Sequence, residues 1–441
     1  MPVNEDFFGL SEAHVVSEYC ELMGHYLGET NPKYDHIVAL HRLGYLPIEI
    51  YSIPEGFSTN LGVPSVVITN TLPEFYWLPN YFETLMSMCL WKPSTSATTA
   101  QRLRKICEKW AKASGEADMS FVDWQCHDFS ERGMSGMEDA ILSGMGHLLS
   151  FSGTDTIPAI LAARKYYAAD LSIGGSVNAT EHSVMCAGGK EDEFETFRRL
   201  LCDVYPKGIL SVVSDTWDLW KVLTDFVPRL KDQILAREGR LIIRPDSGDP
   251  VKILCGDHAY LTVKSDYPGF DQHPASLGVM RLLASELGRD YDRAGLPLIK
   301  GAGAIYGDSM NEERIDAILK YIVEELQLSP NNFVAGVGSF KYEHVTRDTY
   351  GFAMKATAVV RNGELVEIFK DPVTDDGGKR SLKGVPAVYR TEESTDQKPE
   401  YFVKSGSSLA DLANCAYQKV FADGRVLVNE RFADIRKRVR A

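Results

Sequence analysis

The chain lacks the features of disulfide-stabilised, secreted and membrane-spanning proteins. Its 441 residues contain eight cysteines, and no two of them form a CxxC pair. This scatter predicts reduced thiols and excludes a disulfide framework or a cysteine-based zinc site. No apolar run approaches the roughly 20 residues of a membrane-spanning helix. The opening MPVNEDFFGL lacks the basic segment followed by an apolar segment that is typical of a signal peptide. We therefore expect a cytoplasmic protein.

Basic charge is also scarce, because 47 Lys and Arg face 61 Asp and Glu, for a net charge of -14. Nucleic acids and anionic membrane surfaces bind proteins through basic faces, so we expect neither partner. A small anionic substrate is still compatible, since a local cluster of Arg and Lys can bind phosphates on an acidic protein. A hydrophobic content of 44% is ordinary for a globular chain that buries a large core.

The middle of the chain alternates short apolar runs with helical patterns. The runs are Gly208–Ser214, Arg240–Arg244, Leu296–Lys300 and Asn332–Gly336. Continuous apolar strands separated by helices are typical of parallel β-structure, either in an α/β barrel or in an open α/β sheet.

The two ends of the chain have a different rhythm. Strand-like runs occur at Ile48–Ile53 and Ser65–Thr69, followed by an apolar segment at Leu78–Trp91 that predicts a buried helix. A second helix, on the surface, is predicted at Ala97–Ser114, where one stripe is apolar.

The tail contains two hairpin signals, an Asn362–Gly363 turn between β-branched runs and a second turn at Asp423–Gly424. An antiparallel tail of this kind would pack with the N-terminal part. We therefore predict an α/β fold in which an irregular, TIM-like barrel, residues 118–345, is inserted in a discontinuous α+β domain with antiparallel sheet, residues 1–117 plus 346–441.

Three acids, Asp215, Asp246 and Asp308, come just after apolar or glycine-rich segments, and Arg244 lies beside one of them. In α/β barrels the carboxyl ends of the strands form the mouth of the active site. Each acid alone could be a helix N-cap. Three together favour a site, because unpaired buried acids are costly.

Glycine-rich stretches occur at 301–307, 336–339 and 188–189. Small residues allow backbone N–H groups to approach phosphate oxygens, and a following helix adds its positive end. The stretch at 301–307 is expected to be a loop before Asp308. For any one of the three taken alone, a tight turn between a strand and a helix is the favoured interpretation.

Two further groups have the residue types of a binding site. Glu181 precedes His182, and an imidazole at a barrel mouth can act as base, phosphate ligand or phosphoryl acceptor. Phe129, Arg132 and Asp155 offer an aromatic face, a guanidinium and a carboxylate, which suit a neutral aromatic amide. From spacing alone, the structural interpretations are favoured, namely a structural histidine, a core phenylalanine and a turn aspartate.

The motifs in their order along the chain resemble the nicotinamide phosphoribosyltransferases, of the type II phosphoribosyltransferase family. They are HDFSERG, GTDT, SVNATEHS, SVVSD, IIRPDSGDP, GVGSFKYEHVTRD, FKDPV and GGKRSLKG. The resemblance extends from about residue 45 to the end. It implies that nicotinamide and phosphoribosyl pyrophosphate (PRPP) give nicotinamide mononucleotide and pyrophosphate, in NAD salvage. It also implies Mg²⁺, ATP hydrolysis through a phosphohistidine, and a homodimer with shared active sites.

The resemblance also implies roles for individual residues. Phe129 would stack on nicotinamide and Asp155 would accept its amide N–H, with Arg132 and Arg244 bordering the pocket. Asp246 would hold the ribose hydroxyls, with Gly307 and Asp308 nearby. His182 would be phosphorylated by ATP, with Asp215 orienting it and Glu181 adjacent. The implied phosphate-binding residues are Gly338, Ser339, Arg347, Lys355, Lys370, Lys379 and Lys383.

The sequence departs from the family pattern in several places. Family members carry a further N-terminal region with an Asp-Ser-Tyr-Lys stretch, whose Tyr forms the second face of the nicotinamide sandwich, and the present sequence starts after it. Ser130, Glu131, Ser339, Phe340 and Ala353 also differ from the residues of relatives. Without that region the site would be open on one side, and the substitutions would weaken PRPP binding without abolishing it.

Three alternatives therefore stand beside the nicotinamide enzyme. One is a nicotinate phosphoribosyltransferase, although the nicotinate enzymes carry Ser and Asn in place of Asp155 and Thr156. Another is a truncated or inactive relative that acts as a binding protein. The last is an unrelated phosphate-binding barrel enzyme.

Overall fold

The computed structural model describes residues 4–292, 295–370 and 382–441, and the chain forms two compact units. The first unit comprises Met1–Leu90, Tyr350–Val439 and Ala441, and the second comprises Trp91–Thr349 and Arg440. The domain boundaries taken from the sequence, at 117/118 and 345/346, stay a prediction.

The helices of the described residues are mostly short. The α-helices are α1 Glu12–Leu27, α2 Asp35–Leu43, α3 Leu78–Ser114, α4 Met137–Leu148, α5 Ile157–Tyr167, α6 His182–Cys186, α7 Glu193–Arg199, α8 Leu219–Lys221, α9 Val227–Arg229, α10 Lys231–Ala236, α11 Pro250–Cys255, α12 Gly278–Leu287, α13 Glu312–Lys320, α14 Ser339–Tyr342 and α15 Phe432–Arg440. Short 3₁₀ and π turns extend or join several of them. Among these described helices, none combines the length and apolarity needed to cross a bilayer.

The strands fall into parallel and antiparallel groups. They are β1 Ile48–Ser52, β2 Val66–Asn70, β3 Cys126–Asp128, β4 Gly153–Thr154, β5 Asn178–Ala179, β6 Leu210–Val213, β7 Leu241–Arg244, β8 Arg289–Tyr291, β9 Pro297–Ile299, β10 Ala302–Tyr306, β11 Phe333–Val337, β12 Ala358–Arg361, β13 Glu364–Glu367, β14 Val385–Arg390, β15 Tyr401–Ser407, β16 Gln418–Ala422 and β17 Arg425–Val426.

The second unit is built around a parallel sheet of seven strands, in the order β4-β3-β11-β10-β7-β6-β5. A parallel bridge between Gly153 and Gly175 links β4, at one edge, to the segment that leads into β5, at the other edge. The sheet is therefore curled. Strands that follow one another along the chain lie side by side in it, and the first strand, β3, lies beside the last, β11. The predicted α/β fold with an irregular barrel is confirmed.

Two segments of the barrel differ from the sequence prediction. Residues 301–307, expected as a phosphate loop, contain the fully buried strand β10, whereas Leu296–Lys300 contains β9, which pairs antiparallel with β8 outside the barrel. A Cβ added at Gly303 would lie 3.1 Å from the Asn332 carbonyl oxygen and 3.2 Å from Arg240 Nη2. Gly303 in β10 therefore reflects close packing inside the barrel rather than a turn.

The region from Leu78 to Ser114 is one helix, α3, instead of the two that the sequence predicts. The polar stretch between them stays helical because its side chains are buried against α4. Ser96 Oγ lies 3.1 Å from Ser143 Oγ, and a Cβ at Gly146 would lie 2.8 Å from the Pro93 carbonyl oxygen. Tertiary packing here overrides local propensity. The N-terminal part of α3 is also less buried than the sequence predicts, since Tyr81 and Met88 are exposed.

In the first unit, strands from both ends of the chain share a four-stranded antiparallel sheet, in the order β17-β16-β1-β2. The two predicted hairpins are present as β12–β13 and β16–β17. Asn362 and Gly363 have φ of 54° and 81°, which is the left-handed conformation that a two-residue hairpin loop requires. The antiparallel tail therefore pairs with the N-terminal part, as predicted.

Candidate active site

Residues that the sequence analysis singled out follow all seven barrel strands at their carboxyl ends. They are Phe129 after β3, Asp155 after β4, Glu181 and His182 after β5, Asp215 after β6, Arg244 and Asp246 at the end of β7, Gly307 and Asp308 after β10, and Gly338 and Ser339 after β11. Because parallel strands end at the same edge, one mouth of the barrel carries them all.

Asp215 connects two of these strand ends. Its Oδ2 accepts hydrogen bonds from the Asp246 backbone N–H at 2.7 Å and from Ser247 Oγ at 2.6 Å. Its Oδ1 lies 3.4 Å from His182 Nε2, at ion-pair distance, and makes no hydrogen bond to the described residues. The Asp215 side chain is 5% exposed and that of His182 is 46% exposed. A buried, fixed carboxylate therefore faces an imidazole that solutes can reach.

Asp246 is an acid of the mouth whose charged form is disfavoured. Burial raises its pKa, and repulsion from Asp215 and Asp308 adds to this effect, while Arg244 and His182 oppose it. The nearest Arg244 nitrogen, Nη2, lies 3.8 Å from Asp246 Oδ2. Crowded carboxylates of this kind favour the binding of a cation or of hydroxyl donors.

Phe129 forms one wall of the mouth. The Arg244 guanidinium lies 4.9 Å from the centre of its ring, and Arg244 is itself 5% exposed. A Cβ at Gly336 would lie 2.6 Å from the ring, and one at Gly307 would lie 3.4 Å from it and 2.9 Å from Asp246 Oδ1. Glycine at these two positions therefore allows the ring to lie against the backbone of β11 and of the turn after β10.

Arg244 is buried in position but keeps a hydrogen-bond donor that no described residue uses. Its buried Nε makes no hydrogen bond to the described residues. A buried donor without a partner is costly, so this guanidinium is available to a bound molecule that offers an oxygen.

Asp155 lies beside this wall and is bound through one oxygen. Its Oδ1 contacts His127 Nε2 at 2.8 Å and Ser176 Oγ at 2.7 Å. Burial raises the pKa of Asp155, but the hydrogen bonds from His127 and Ser176 and the charge of Arg244 outweigh it, so that the pKa is lowered. The carboxylate is therefore ionised at neutral pH and acts only as an acceptor.

His127 was not among the predicted site residues. The signal available in the sequence is the adjacent polar pair His127 and Asp128. The structure shows that both lie in the buried strand β3, at 7% and 0% exposure. Buried polar groups require partners. A lone histidine, however, does not identify its partner without the register of the neighbouring strand.

Arg132 and Glu181 approach each other across the mouth, with Nη1 of Arg132 3.6 Å from Oε2 of Glu181. Both side chains are largely exposed, so the ion pair is weak. The turn that carries Arg132 also contacts the start of α14, since a Cβ at Gly133 would overlap Ser339.

The remaining predicted phosphate ligands lie on exposed segments. Arg347, in the second unit, lies 3.8 Å from Asp348. In the first unit, Lys355 pairs with Glu83 at 3.3 Å and Lys383 with Glu367 at 2.8 Å, and Lys370 is exposed. Lys379 lies outside the described residues. The roles of all these residues stay predictions.

The fold and the polar barrel mouth define an α/β-barrel enzyme. A crystal structure of nicotinate-nucleotide pyrophosphorylase from Pyrococcus furiosus has a similar fold, with a TM-score of 0.50 and 15% identity over 89% of this chain and 79% of that one. At that identity the likeness shows the fold alone.

Sequence comparison shows the family. The model of the nicotinate phosphoribosyltransferase (NAPRTase) family matches residues 124–412. The nicotinamide phosphoribosyltransferase of Acinetobacter baylyi is 44% identical over 99% of this chain and 84% of its own length. Proteins of the same name from Mycoplasma pneumoniae and Xanthomonas campestris are 36% and 30% identical, over 77% and 87% of this chain and 70% and 77% of their own lengths. The chain belongs to the nicotinate phosphoribosyltransferase family, and the resemblance identified from its motifs is confirmed.

Proposed function

We propose that this phosphoribosyltransferase uses nicotinamide as its base and PRPP as its phosphoribosyl donor. The products are nicotinamide mononucleotide and pyrophosphate, which places the reaction in NAD salvage. One observation carries the choice of base, namely the ionised carboxylate of Asp155 beside Phe129 and Arg244. The similarity to the relatives named above supports the same choice.

The base is selected by charge and by hydrogen bonding. Phe129 stacks on the pyridine ring, and the Arg244 guanidinium donates to the amide oxygen. Asp155 accepts the amide N–H through its Oδ2, because its Oδ1 is already occupied. A nicotinate carboxylate at the same position would be repelled by Asp155 and would offer it no donor.

The sugar phosphate is held at the other strand ends. Asp246 accepts the ribose hydroxyls, with Asp308 and Gly307 alongside, and the backbone at Gly338 and Ser339 contacts phosphate at the start of α14. As pyrophosphate leaves, the ribose C1 acquires positive charge, which the carboxylate of Asp246 stabilises. Holding the pyridine nitrogen opposite C1 removes much of the entropic part of the barrier.

The donor set fits Mg²⁺ bound together with PRPP. Among the described residues no group of three or more His, Cys, Asp or Glu forms a metal site, but Mg²⁺ needs only one or two carboxylates when substrate phosphates and waters complete its coordination. Asp246 and Asp308 are suitable, because Asp246 has a pKa raised by burial and by repulsion from its neighbours. When bound, the ion neutralises charge on the departing pyrophosphate.

ATP hydrolysis is coupled through His182. The buried Asp215 faces Nε2 and favours the tautomer with its proton there, which leaves Nδ1 to attack the γ-phosphorus of ATP. The bond from that phosphorus to ADP breaks, and ADP leaves. Water later takes the phosphoryl group from the imidazole as inorganic phosphate. Glu181 adjoins this site at the start of α6.

We also propose a homodimer with shared active sites, in which Arg347 and Lys355 bind phosphate in the partner's site. Apolar side chains are exposed in the first unit on α3 and on the β12–β13 hairpin, for example Met88 at 55% and Val360 at 53%. A two-stranded hairpin is marginally stable alone in water, and exposed apolar patches mark interfaces. Sedimentation should give the mass of a dimer, and Val360→Glu should shift it towards monomer.

Product formation tests the proposed function directly. The purified protein is mixed with PRPP, Mg²⁺ and ATP and with either nicotinamide or nicotinate, and His182→Ala is measured beside it. Nicotinamide mononucleotide formed only from nicotinamide, and sharply reduced in the variant, is the expected result. Product from nicotinate alone would identify the nicotinate enzyme. A cooperatively melting protein that binds PRPP but forms no product would be a binding protein.

A further inference from the structure

His127 and Asp155 form a pair that is placed by the barrel itself. His127 is the central residue of β3, which pairs with β4 in the register His127 to Gly153 and Asp128 to Thr154. The ladder continues one step further, because the Asp155 N–H donates to the Asp128 carbonyl at 2.9 Å. The 2.8 Å contact between Nε2 and Oδ1 therefore joins neighbouring strands rather than mobile loops.

The imidazole has little freedom to turn. A Cβ at Gly153 would lie 2.8 Å from His127 Nδ1 and 3.2 Å from its Cγ, so only glycine at this position leaves room for the ring. The Phe129 ring lies 4.7 Å from the imidazole at an angle of 41°. With Nδ1 against the Gly153 backbone and Nε2 on a carboxylate, the ring donates its Nε2–H to Asp155.

The two side chains that donate hydrogen bonds to Asp155, His127 and Ser176, differ in burial. His127 is 7% exposed, whereas Ser176 is exposed. A buried donor to a carboxylate contributes more than an exposed hydroxyl, because water competes less well for the acceptor. Both bonds go to Oδ1, and among the described residues Asp155 makes no hydrogen bond through Oδ2.

We propose that His127 is a specificity-determining positioning residue, which donates Nε2–H to Asp155 Oδ1 and thereby directs Oδ2 at the carboxamide of the base. The inference rests on the proposed function, since it assigns Asp155 to the amide. His127 keeps the carboxylate ionised and oriented, so that the site accepts a neutral ring with an N–H donor and rejects an anionic one. His127 itself does not touch the reacting atoms.

Three variants test the proposal: His127→Ala, His127→Gln and Ser176→Ala. Loss of a buried donor to a carboxylate should raise KM for nicotinamide about 10-fold to 100-fold in His127→Ala, with KM for PRPP within about 2-fold. Glutamine retains an N–H of similar reach, so His127→Gln should recover most of the loss. Ser176→Ala should change KM for nicotinamide less than His127→Ala does.

A pH profile separates positioning from a merely structural role. Without its main donor, Asp155 should have a higher pKa, so the acid limb of kcat/KM for nicotinamide should move to higher pH in His127→Ala. An unchanged acid limb and an unchanged KM for nicotinamide, in a variant that melts cooperatively, would overturn the proposal. So would equal increases in KM for nicotinamide and PRPP.

Failure of the proposed function would give a different result from failure of the His127 inference. If the unmodified protein forms no mononucleotide from nicotinamide, the choice of base is wrong whatever the variants do. The pair can then still be examined through the ¹⁵N-labelled imidazole of His127, whose Nε2–H resonance should move when Asp155→Asn is introduced. An unmoved resonance would contradict the hydrogen bond on which the inference depends.

Discussion

The barrel mouth and the first unit hold their predicted ligands in different ways. At the mouth, Asp215, Asp246 and Arg244 lie at the ends of buried strands. Asp215 accepts the Asp246 N–H, and Arg244 lies against Asp246 and the Phe129 ring. In the first unit, Lys355 and Lys383 are about half exposed and pair with acids of the same unit. The mouth is preorganised for charge that develops in a reaction, whereas each lysine must leave an existing partner before it binds phosphate.

This difference separates two kinds of kinetic effect. Preorganised groups act in the transition state, so their loss lowers kcat. Exposed groups that exchange one partner for another contribute mainly to ground-state binding, so their loss raises KM. Variants of the mouth residues that face the reacting sugar and variants of the exposed lysines should therefore have distinct signatures.

The largest effect is expected from Asp246→Asn. The amide has the same volume, and the backbone N–H that donates to Asp215 is kept, but the carboxylate charge is lost. We expect kcat/KM to fall about 10²-fold to 10³-fold, measured as the initial rate of mononucleotide formation. Asp232→Asn, at an exposed position of α10 in the same unit, controls for the change in net charge. A variant that retained more than about a tenth of the activity would contradict the role of Asp246.

Asp155→Asn should have a smaller and more selective effect. The amide offers a donor where the carboxylate accepts, so KM for nicotinamide should rise about 10-fold to 100-fold. The repulsion of nicotinate disappears with the charge, so its kcat/KM should increase. Competition between the two bases, followed by separation of their products, measures the change. An unaltered product ratio would show that Asp155 does not select the base.

The residues of the barrel mouth could be predicted from the sequence wherever the end of a strand could be recognised. Asp215 and Asp246 follow β-branched runs, and parallel topology brings such positions to one edge without any knowledge of loops. β10 was missed as a strand because Gly and Ala have low strand propensity. At Gly303, the close approach of Arg240 and Asn332 leaves little room for a side chain, and this tertiary constraint is not visible locally.

The pairings within the site could not be predicted. That His127 contacts Asp155 depends on the register between β3 and β4, and β4 has only two residues, too few for a periodic signal. Similarly, the Ser- and Thr-rich stretch of α3 looks like a break in the helix until its burial against α4 is known. Local patterns locate strand ends, whereas contacts between elements determine which side chains meet.

Glu193 is another buried acid of the barrel unit, 2% exposed, and unlike the buried Asp215 of the mouth it carries no predicted role. Its side chain is in the first turn of α7 with Oε1 unpaired among the described residues, and burial raises its pKa to about 7. Since the folded-state pKa is above the unfolded one, its contribution to stability is complete below about pH 4.5 and is lost as the pH rises through about 7.

Glu193→Gln should therefore remove this pH dependence. The variant should gain about 1 to 3 kcal/mol in free energy of unfolding at pH 8, relative to the unmodified protein, and little at pH 4.5. Urea titrations at both pH values provide the measurement. Glu191→Gln, two residues earlier and exposed, is the matched control. Equal stability of the Glu193 variant and the unmodified protein at pH 8 would show that ionisation of this carboxyl does not destabilise the fold.

The smallest effects are expected in the first unit. Lys355→Ala and Lys383→Ala should each raise KM for PRPP about 2-fold to 10-fold with kcat within about 2-fold, because an exposed lysine offers a screened charge. The reciprocal changes Glu83→Gln and Glu367→Gln free the lysines from their partners at 3.3 Å and 2.8 Å, so KM should fall slightly. Lys398→Ala, another exposed lysine of the unit, should change neither parameter. A loss in kcat from either lysine variant would instead place that residue with the preorganised groups of the barrel mouth, and the contrast between the two regions would then fail at that position.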